Sequence, residues 1–243
     1  MTQSIIVIPA RKASTRLPNK IIADICGKPM IHHVIDRARE SGIEDIIVAC
    51  DDNEYKKIID DYGAIAVMTD PELASGSDRA YAACEIFDPE EKFTNIICLQ
   101  GDVPFINPLS IRKANDLMKE KTFDMTTIAA RMPEDFDILN HNIVKIAMNE
   151  NTGQAYYFSR SPIPFGDAPK YYHIGIYVYK RDALAKYVSL PPSILEIHER
   201  LEQLRAIEAG MSIGVGIVDD IPISVDIPDD LEKAIHHYNK YYK

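Results

Sequence analysis

The first half of the chain alternates short apolar runs with amphipathic segments, and this pattern constrains the fold more than any other feature. The runs SIIVIP, DIIVACDD, AIAVMT and NIICLQGD have the length of strands, and the segments between them carry apolar residues at helical spacing. Parallel strands buried on both faces have this nearly continuous apolar character. We therefore predict an α/β fold whose mostly parallel sheet is covered by helices on both faces.

The middle of the chain has a different pattern. Segments such as FDMTTIAARM and YYHIGIYVYK alternate, or are rich in β-branched and aromatic residues, and NENTGQ has the composition of a hairpin connection. We expect a β-rich antiparallel lobe at about 125–180, inserted into a single domain that spans 1–243. Beyond it we predict helices at 181–190 and 193–210, short strands around IGVGIVD and ISVDI, and a last helix from Pro228.

Composition narrows the choice of partners. The chain has 243 residues and a formal net charge of −10, which argues against a general nucleic-acid binder. We find no signal peptide, and no apolar run approaches the roughly 20 residues that span a membrane. The four cysteines have neither zinc spacing nor a paired pattern, so we expect free thiols. These features favour a cytoplasmic protein whose partners are small molecules or copies of itself.

A basic loop follows the first predicted strand. It carries Arg11, Lys12, Arg16 and Lys20, and the first acidic residue of the chain is Asp24. Ligands of open α/β sheets bind beyond the carboxyl ends of the strands, where this loop lies. Arginine forks and lysine point charges are the usual phosphate partners. The alternative is a solvated loop that pairs with surface acids.

The loop differs from the common phosphate-binding loops. Neither G-x-x-x-x-G-K-[ST] nor G-x-G-x-x-G is present after the first strand. Small residues in the loop would still let backbone N–H groups approach phosphate oxygens; they are Ala10, Ala13, Ser14 and Thr15. The sequence therefore indicates a polyanion site in which side-chain cations replace a glycine cradle.

Two aspartates have positions that suit a metal ion. Asp102 and Asp226 each follow an apolar strand-like run and precede a proline turn, so both could reach the ligand edge of the sheet. Two carboxylates that face a triphosphate would hold Mg²⁺, with phosphate and water as the other ligands. Asp102 could instead be a turn residue. Asp226 could cap the last helix, although Asp229 and Asp230 are better placed for that.

The loop A-R-K-A-S-T-R-L-P-N-K, followed by GKPMI, resembles the opening signature of sugar nucleotidyltransferases. It is most similar to the 3-deoxy-manno-octulosonate (Kdo) cytidylyltransferases, which make CMP-Kdo. Seven further motifs follow in the order of that family, and together they cover the chain from about Ile5 to Leu231. They are VACDD, VMTDPELASGSDR, LQGDVP, YYFSRSPIPF, HIGIY, LEQLR and VDIPDDL.

The resemblance implies a Rossmann-like nucleotidyltransferase fold and a homodimer that forms through the inserted lobe. It also implies transfer of CMP from CTP to the anomeric hydroxyl of Kdo, with release of pyrophosphate, for lipopolysaccharide synthesis. The catalytic residues it implies are Arg11, Arg16, Lys20, Asp102 and Asp226, and the two aspartates would bind Mg²⁺. The nucleotide-binding residues it implies are Pro9, Ala10, Arg11, Lys20, Ala74, Ser75, Gly76, Ser77 and Gln100.

For the acid sugar, the resemblance implies Arg160, His173, Tyr177, Glu202 and Gln203. Judged from the residues alone, each of these has a structural alternative. Arg160 could be a surface or interface residue, and His173 and Tyr177 could belong to the core. Glu202 and Gln203 could lie on the polar face of a helix, just as Ser75 or Ser77 could simply cap one.

The chain departs from the family pattern in three places. Asn19-Lys20-Ile21 stands where G-K-P is usual, Val103 stands where glutamate or glutamine follows the aspartate, and SGSD replaces the commoner SGTD. Rival functions also stay open. The 8-amino analogue of Kdo could be the sugar, and a non-catalytic nucleotide sensor or a plain interaction protein could use the same fold. CMP-sialate synthetases share the loop but tend to have a QPTSP-like stretch where this chain has LQGDVPFI.

Overall fold

The computed structural model describes residues 3–14, 16–120, 122–133 and 135–243, so Thr15 of the basic loop lies outside the described residues. The strands are β1 (Ser4–Ala10), β2 (Asp45–Cys50), β3 (Ile65–Met68), β4 (Asn95–Cys98), β5 (Met125–Arg131), β6 (Lys145–Met148), β7 (Ala155–Ser159), β8 (Tyr171–Lys180) and β9 (Ile213–Val218). The helices are α1 (Met30–Glu40), α2 (Asn53–Asp61), α3 (Gly76–Phe87), α4 (Pro108–Glu120), α5 (Arg181–Ser189), α6 (Ile194–Glu199), α7 (Gln203–Glu208) and α8 (Pro228–Tyr241). Within the described ranges, no helix is both long and apolar enough to cross a membrane.

The chain forms two compact units. One comprises Gln3–Arg112 and Pro222–Lys243, and the other comprises Lys113–Ile221. The second unit extends on both sides of the lobe predicted at about 125–180. It does so because β9 pairs in parallel with β5, and because the Thr126 hydroxyl of β5 donates to the Ala114 carbonyl of α4 at 2.8 Å.

The first unit contains the predicted parallel sheet. Its strands lie in the order β3-β2-β1-β4, and every neighbouring pair is parallel. The four residues from Ile5 to Ile8 in β1 are fully buried, as expected for a strand with helices on both faces. The prediction for the first half of the chain is confirmed. The carboxyl ends of β1, β2 and β4 therefore meet at one edge of this sheet.

The second unit is mostly antiparallel. Strand β8 runs antiparallel to both β5 and β6, and β6 pairs antiparallel with β7. The connection from β6 to β7 is the predicted hairpin at NENTGQ, in which Gly153 has a φ of 76°. The antiparallel prediction for the middle of the chain is confirmed.

Two predicted elements differ from the structure. The ISVDI segment is not a strand, because prolines at 222 and 228 bracket a short stretch that makes only isolated backbone hydrogen bonds, such as Val225 N–H to Asp102 O at 2.9 Å. The helix predicted over 193–210 is two helices, α6 and α7. Arg200 has a φ of 57° between them, and this left-handed residue turns Leu201 into the core.

The basic loop ends in a left-handed residue. Asn19 has a φ of 54°, and a short 3₁₀ helix, Lys20–Ile22, begins directly after it. Glycine adopts this conformation most easily, and asparagine tolerates it better than most other residues. The departure from the family pattern at position 19 therefore preserves the backbone conformation that sets the direction of Lys20.

We predict that the free energy of unfolding of Asn19→Val is about 1–2 kcal/mol lower than that of Asn19→Gly, since both variants lose the hydrogen bond that the Tyr55 hydroxyl donates to Asn19 Oδ1 at 3.3 Å and only valine is strained. A β-branched residue is strained at positive φ, and Asn19 is exposed, so loss of burial cannot explain a difference. Thermal unfolding of the two variants checks this. Equal midpoints for glycine and valine would show that the backbone relaxes freely here.

His173 lies in the core of the second unit. It is buried on β8, its Nε2 lies 3.0 Å from the Thr127 hydroxyl of β5, and its ring packs edge-on against Phe158. Burial lowers the pKa of His173 to about 3, because the charged ring would lose its hydration. The imidazole is therefore neutral at physiological pH.

This burial predicts a pH-dependent loss of stability. The pKa of His173 is about 3 in the folded chain and about 6.5 in the unfolded chain, so below pH 6.5 the unfolded chain binds the additional proton. Stability is full above pH 6.5 and falls as the pH drops toward 3. Urea unfolding of His173→Gln should show about 1–2 kcal/mol less loss between pH 7 and pH 5 than the parent chain does. An equal loss in both would contradict the assigned pKa.

Candidate active site

Lys20 occupies the centre of the candidate site, between two carboxylates. Its Nζ lies 2.6 Å from Asp102 Oδ2 and 3.0 Å from Asp226 Oδ1. The side chain of Lys20 is only 15% exposed and that of Asp102 is 22% exposed, so water screens the pair weakly. Burial lowers the pKa of Lys20, but the two carboxylates outweigh it, and the pKa is raised overall. Lys20 is therefore held as a cation.

The four cations of the basic loop have different surroundings. Lys20 and Arg16 both contact Asp226, the latter through Nη2 at 3.1 Å from Oδ1. Lys12 turns instead to the start of α2, where its Nζ lies 2.8 Å from Asp52. Arg11 is exposed, and no ion pair joins it to another described residue within 4.0 Å. Lys12 therefore fits the alternative of a loop that pairs with surface acids. Arg11, Arg16 and Lys20 lie at the ligand edge of the sheet.

Backbone packing fixes where the two aspartates lie. Gly101, after β4, approaches β1 so closely that a side-chain carbon there would lie 2.9 Å from the Pro9 carbonyl oxygen. Only glycine allows this approach, which brings Asp102 to the end of β1. The Val225 N–H then donates to the Asp102 carbonyl, and this hydrogen bond places Asp226 beside Asp102.

The donor set suits Mg²⁺. Asp102 and Asp226 direct one oxygen each at a single ammonium group, and a metal ion could be bound in the same manner. Across the described ranges, no cluster of three or more His, Cys, Asp or Glu could hold a metal. The protein would therefore supply two carboxylates, and substrate phosphate and water would complete the shell, as Mg²⁺ prefers.

Six of the residues predicted to bind the nucleotide lie at or beside the start of α3, namely Pro9, Ala74, Ser75, Gly76, Ser77 and Gln100. A side-chain carbon at Gly76 would lie 3.5 Å from Pro9 Cγ and 3.6 Å from Gln100 Nε2, so these three positions are neighbours. Ser75 is the N-cap residue, and its Oγ accepts the Asp78 N–H at 3.1 Å. Ala74 precedes this cap and Ser77, in the first turn of α3, is buried. The capping alternative for Ser75 is confirmed, and it is compatible with a ligand at the helix N-terminus.

The residues predicted for the sugar all belong to the second unit. His173 and Tyr177 are buried there with their ring centroids 5.6 Å apart, so Tyr177 has the core position that the residue-based alternative described. Gln203 opens α7 and is buried as well, directly after the partly exposed Glu202. Its Nε2 is enclosed without a hydrogen-bond partner among the described residues.

Arg160 directly follows β7, and its guanidinium donates hydrogen bonds to backbone carbonyls. Its Nε donates to Glu199 O at 3.0 Å and its Nη1 donates to His141 O at 2.9 Å. Lys145 is buried beside it and donates to the Arg160 carbonyl at 2.8 Å. Arg160 Nη2 donates to Arg200 O at 3.3 Å, so each nitrogen of the guanidinium already has a backbone partner and the group is fixed in place.

Sequence reasoning gave no role to Asp51. This residue follows β2, and its Oδ1 accepts the backbone N–H of Lys12 at 2.8 Å. Its position in the sequence could have indicated a role, because VACDD places an acidic pair at the carboxyl end of the second strand.

Comparison with known proteins identifies the family of this chain. Residues 5–213 match the family model described as cytidylyltransferase. The 3-deoxy-manno-octulosonate cytidylyltransferase of Parvibaculum lavamentivorans is 48% identical over 95% of this chain and 90% of its own length. The protein of the same name from Methylobacterium radiotolerans is 46% identical over 96% of each chain.

Solved structures give the same result. The structure of CMP:2-keto-3-deoxy-manno-octonic acid synthetase complexed with CTP is 35% identical, with a TM-score of 0.91 over 98% of this chain and 99% of that one. The inositol-1-phosphate CTP transferase from T. maritima has a TM-score of 0.69 over 99% of this chain and 97% of its own, but at 13% identity it shares only the fold. The chain therefore belongs to the cytidylyltransferase family and, within it, to the 3-deoxy-manno-octulosonate cytidylyltransferases.

Proposed function

We propose that this chain transfers CMP from CTP to the anomeric hydroxyl of Kdo, for lipopolysaccharide synthesis. The names of its relatives support this reaction, and so does its similarity to a synthetase that was solved in complex with CTP. The observation that carries it is the cluster of Lys20, Asp102 and Asp226 at the carboxyl edge of a parallel sheet, beside a loop of cations. A triphosphate with its metal ion needs this combination of charges.

In the proposed reaction the sugar hydroxyl oxygen forms a bond to the α-phosphorus of CTP, and its O–H bond breaks, with the proton passing to solvent. The bond from that phosphorus to the bridging oxygen breaks, and pyrophosphate leaves with the electron pair. Arg11, Arg16 and Lys20 neutralise the triphosphate and the departing pyrophosphate. Asp102 and Asp226 would hold Mg²⁺, and a bound metal ion would supply positive charge that stabilises the phosphates and makes the attacking hydroxyl more acidic.

The ion pairs of the free chain support this division of roles. Lys20 contacts both aspartates and Arg16 contacts Asp226, so two cations face two carboxylates at this edge of the sheet. A magnesium triphosphate carries both kinds of charge. Its phosphates can pair with the cations and its metal can bind the carboxylates, so each charge that loses its internal partner gains one from the substrate.

Nucleotide binding is assigned to the start of α3 and the end of β1. The N-terminal N–H groups of α3, with Ser75 to Ser77, face the neighbourhood of Pro9 and Gln100. Small side chains at Ala74, Ser75 and Gly76 leave room for a pyrimidine ring, and Ala10 and Arg11 continue the same edge. Gln100 would donate to or accept from the nucleotide.

Sugar binding is assigned to the second unit. The buried Gln203 Nε2 supports this, because an enclosed donor without a partner is costly unless a ligand satisfies it. Sugar hydroxyls or the carboxylate could accept from it. Arg160, neutral His173, Tyr177 and Glu202 complete the proposed set, with Arg160 as the partner of the carboxylate.

We also propose a homodimer and a cytoplasmic location. Large apolar side chains of the second unit are exposed, including Tyr156, Phe165, Ile194 and Ile197. Tyr156 and Phe165 belong to the segment GQAYYFSRSPIPF, which the sequence marks as suited to a two-fold interface. The four cysteines are free thiols, which suits a reducing compartment.

The direct test measures pyrophosphate release from CTP and Mg²⁺ with Kdo or its 8-amino analogue. We expect release with Kdo, no release with CTP alone, and no release after a chelator removes the metal. Restored Mg²⁺ should restore the rate. If no 3-deoxy acid sugar supports release, the proposed reaction is wrong. Release that persists in excess chelator would remove the metal from the proposal.

Single substitutions test the assigned roles. We predict that Lys20→Met and Asp102→Asn each lower turnover about 100-fold or more, because each removes a charge directed at the reacting phosphates. Lys56→Met is the matched control, since this partly exposed lysine forms an ion pair with Asp60 on its own helix, and its turnover should stay within about twofold. A near-parental rate for either site variant would refute its role, provided that all variants unfold above the assay temperature.

A further inference from the structure

The roles proposed so far leave one buried acidic residue at the ligand edge without a function. Asp51 follows β2, its side chain is 5% exposed, and both of its oxygens are engaged. Oδ1 accepts the backbone N–H of Lys12 at 2.8 Å, and Oδ2 lies 3.1 Å from Nη2 of Arg79. A charge buried this deeply is costly unless its partners are fixed.

Arg79 is fixed more firmly than Asp51. It lies in the second turn of α3 with its side chain 2% exposed, and its Nη1 donates to the Thr69 hydroxyl at 2.6 Å. Thr69 in turn donates to the Cys50 carbonyl at the end of β2. Asp51 is thus held by a buried cation that is itself anchored to the scaffold of the sheet.

The side chain of Asp51 contacts the basic loop at a backbone N–H group, that of Lys12. The side chain of Lys12 turns away to Asp52, the N-cap residue of α2, so this cation is already paired. The Lys12 N–H that Asp51 accepts lies directly after Arg11, whose side chain is exposed. The hydrogen bond therefore fixes the loop at Lys12, one residue after the exposed cation Arg11.

We propose that Asp51 is a positioning residue for the phosphate-binding loop, and that Arg79 holds it in place. By fixing the Lys12 amide, Asp51 sets the path of the loop after β1, so that Arg11 is presented to the CTP phosphates. Lys12 contributes its backbone, and its side chain is dispensable for CTP. This inference rests on the proposed function, because it assumes that the loop binds a triphosphate.

The amide chemistry of asparagine gives a sharp test. Asp51 gives one oxygen to the Lys12 N–H and the other to an ion pair with Arg79 Nη2, which makes no hydrogen bond within the described part of the chain, whereas asparagine has a single acceptor oxygen. In Asp51→Asn the charge of the buried Arg79 attracts that oxygen, and the Lys12 N–H then faces an NH₂ group. In the double variant Asp51→Asn/Arg79→Met, the oxygen is free again to accept from Lys12.

The experiment measures the dissociation constant for CTP with Mg²⁺ by calorimetry, together with hydrogen exchange over residues 10–20. We expect Asp51→Asn to weaken CTP binding about 3- to 10-fold and to speed exchange in this segment, because it loses one backbone hydrogen bond. The double variant should recover most of both losses. Lys12→Met should bind CTP within about twofold of the parent chain.

A purely structural role gives a different pattern. If Asp51 and Arg79 only stabilise the fold, both variants lower the unfolding temperature while CTP affinity stays at the parental value, and the proposal is overturned. It is equally overturned if the double variant binds CTP no better than Asp51→Asn, or if Lys12→Met binds as weakly.

The same experiment separates this inference from the proposed function. If the parent chain binds CTP and releases pyrophosphate with Kdo but Asp51→Asn keeps parental affinity, only the positioning role fails. If the parent chain binds CTP and Asp51→Asn weakens it, but no acid sugar supports pyrophosphate release, the positioning role stands and the reaction fails. If the parent chain does not bind CTP at all, both are wrong.

Discussion

The ammonium group of Lys20, shared between Asp102 and Asp226, is the interaction on which the candidate site depends. Without a cation between them, two carboxylates at the same edge of a sheet would repel each other in a partly buried place. The ammonium group of Lys20 offsets that repulsion, because it contacts both carboxylates. A substrate that brings phosphate and a divalent metal together can replace this internal pairing without leaving a charge unpaired.

Three distant parts of the sequence meet to form this interaction, and backbone packing brings them together. Gly101 lets β4 approach the Pro9 carbonyl, and the Val225 N–H ties the last loop to Asp102. Asn19 adopts the left-handed conformation that starts the short 3₁₀ helix bearing Lys20. Asp51 fixes the other end of the same loop through the Lys12 amide. The cations therefore lie on a loop that is anchored near both of its ends.

Local pattern in the sequence was enough to predict the strands, most helices and the ligand edge. The apolar run of β1 predicted its burial as a strand, and Asp102 lies beyond β4 as its motif predicted. Asp226 lies beside Asp102, although the run before it is not the strand from which its position was predicted. The pattern gave wrong predictions where tertiary contacts determine the local structure. The ISVDI segment has the composition of a strand, but in the structure it is not one. A left-handed Arg200 divides a segment whose periodicity predicts one helix. Arg79 looks like an ordinary helix residue, and only the fold shows that it is buried against Asp51.

A crystal structure of the chain with CTP and Mg²⁺ tests the role of the Lys20 cluster most directly. We expect phosphate oxygens to contact Arg11, Arg16 and Lys20, and the metal to contact Asp102 and Asp226. Lys20 Nζ should leave at least one of the two carboxylates for a phosphate. A triphosphate bound elsewhere, with Lys20 still paired to both aspartates as it is in the free chain, would contradict this role.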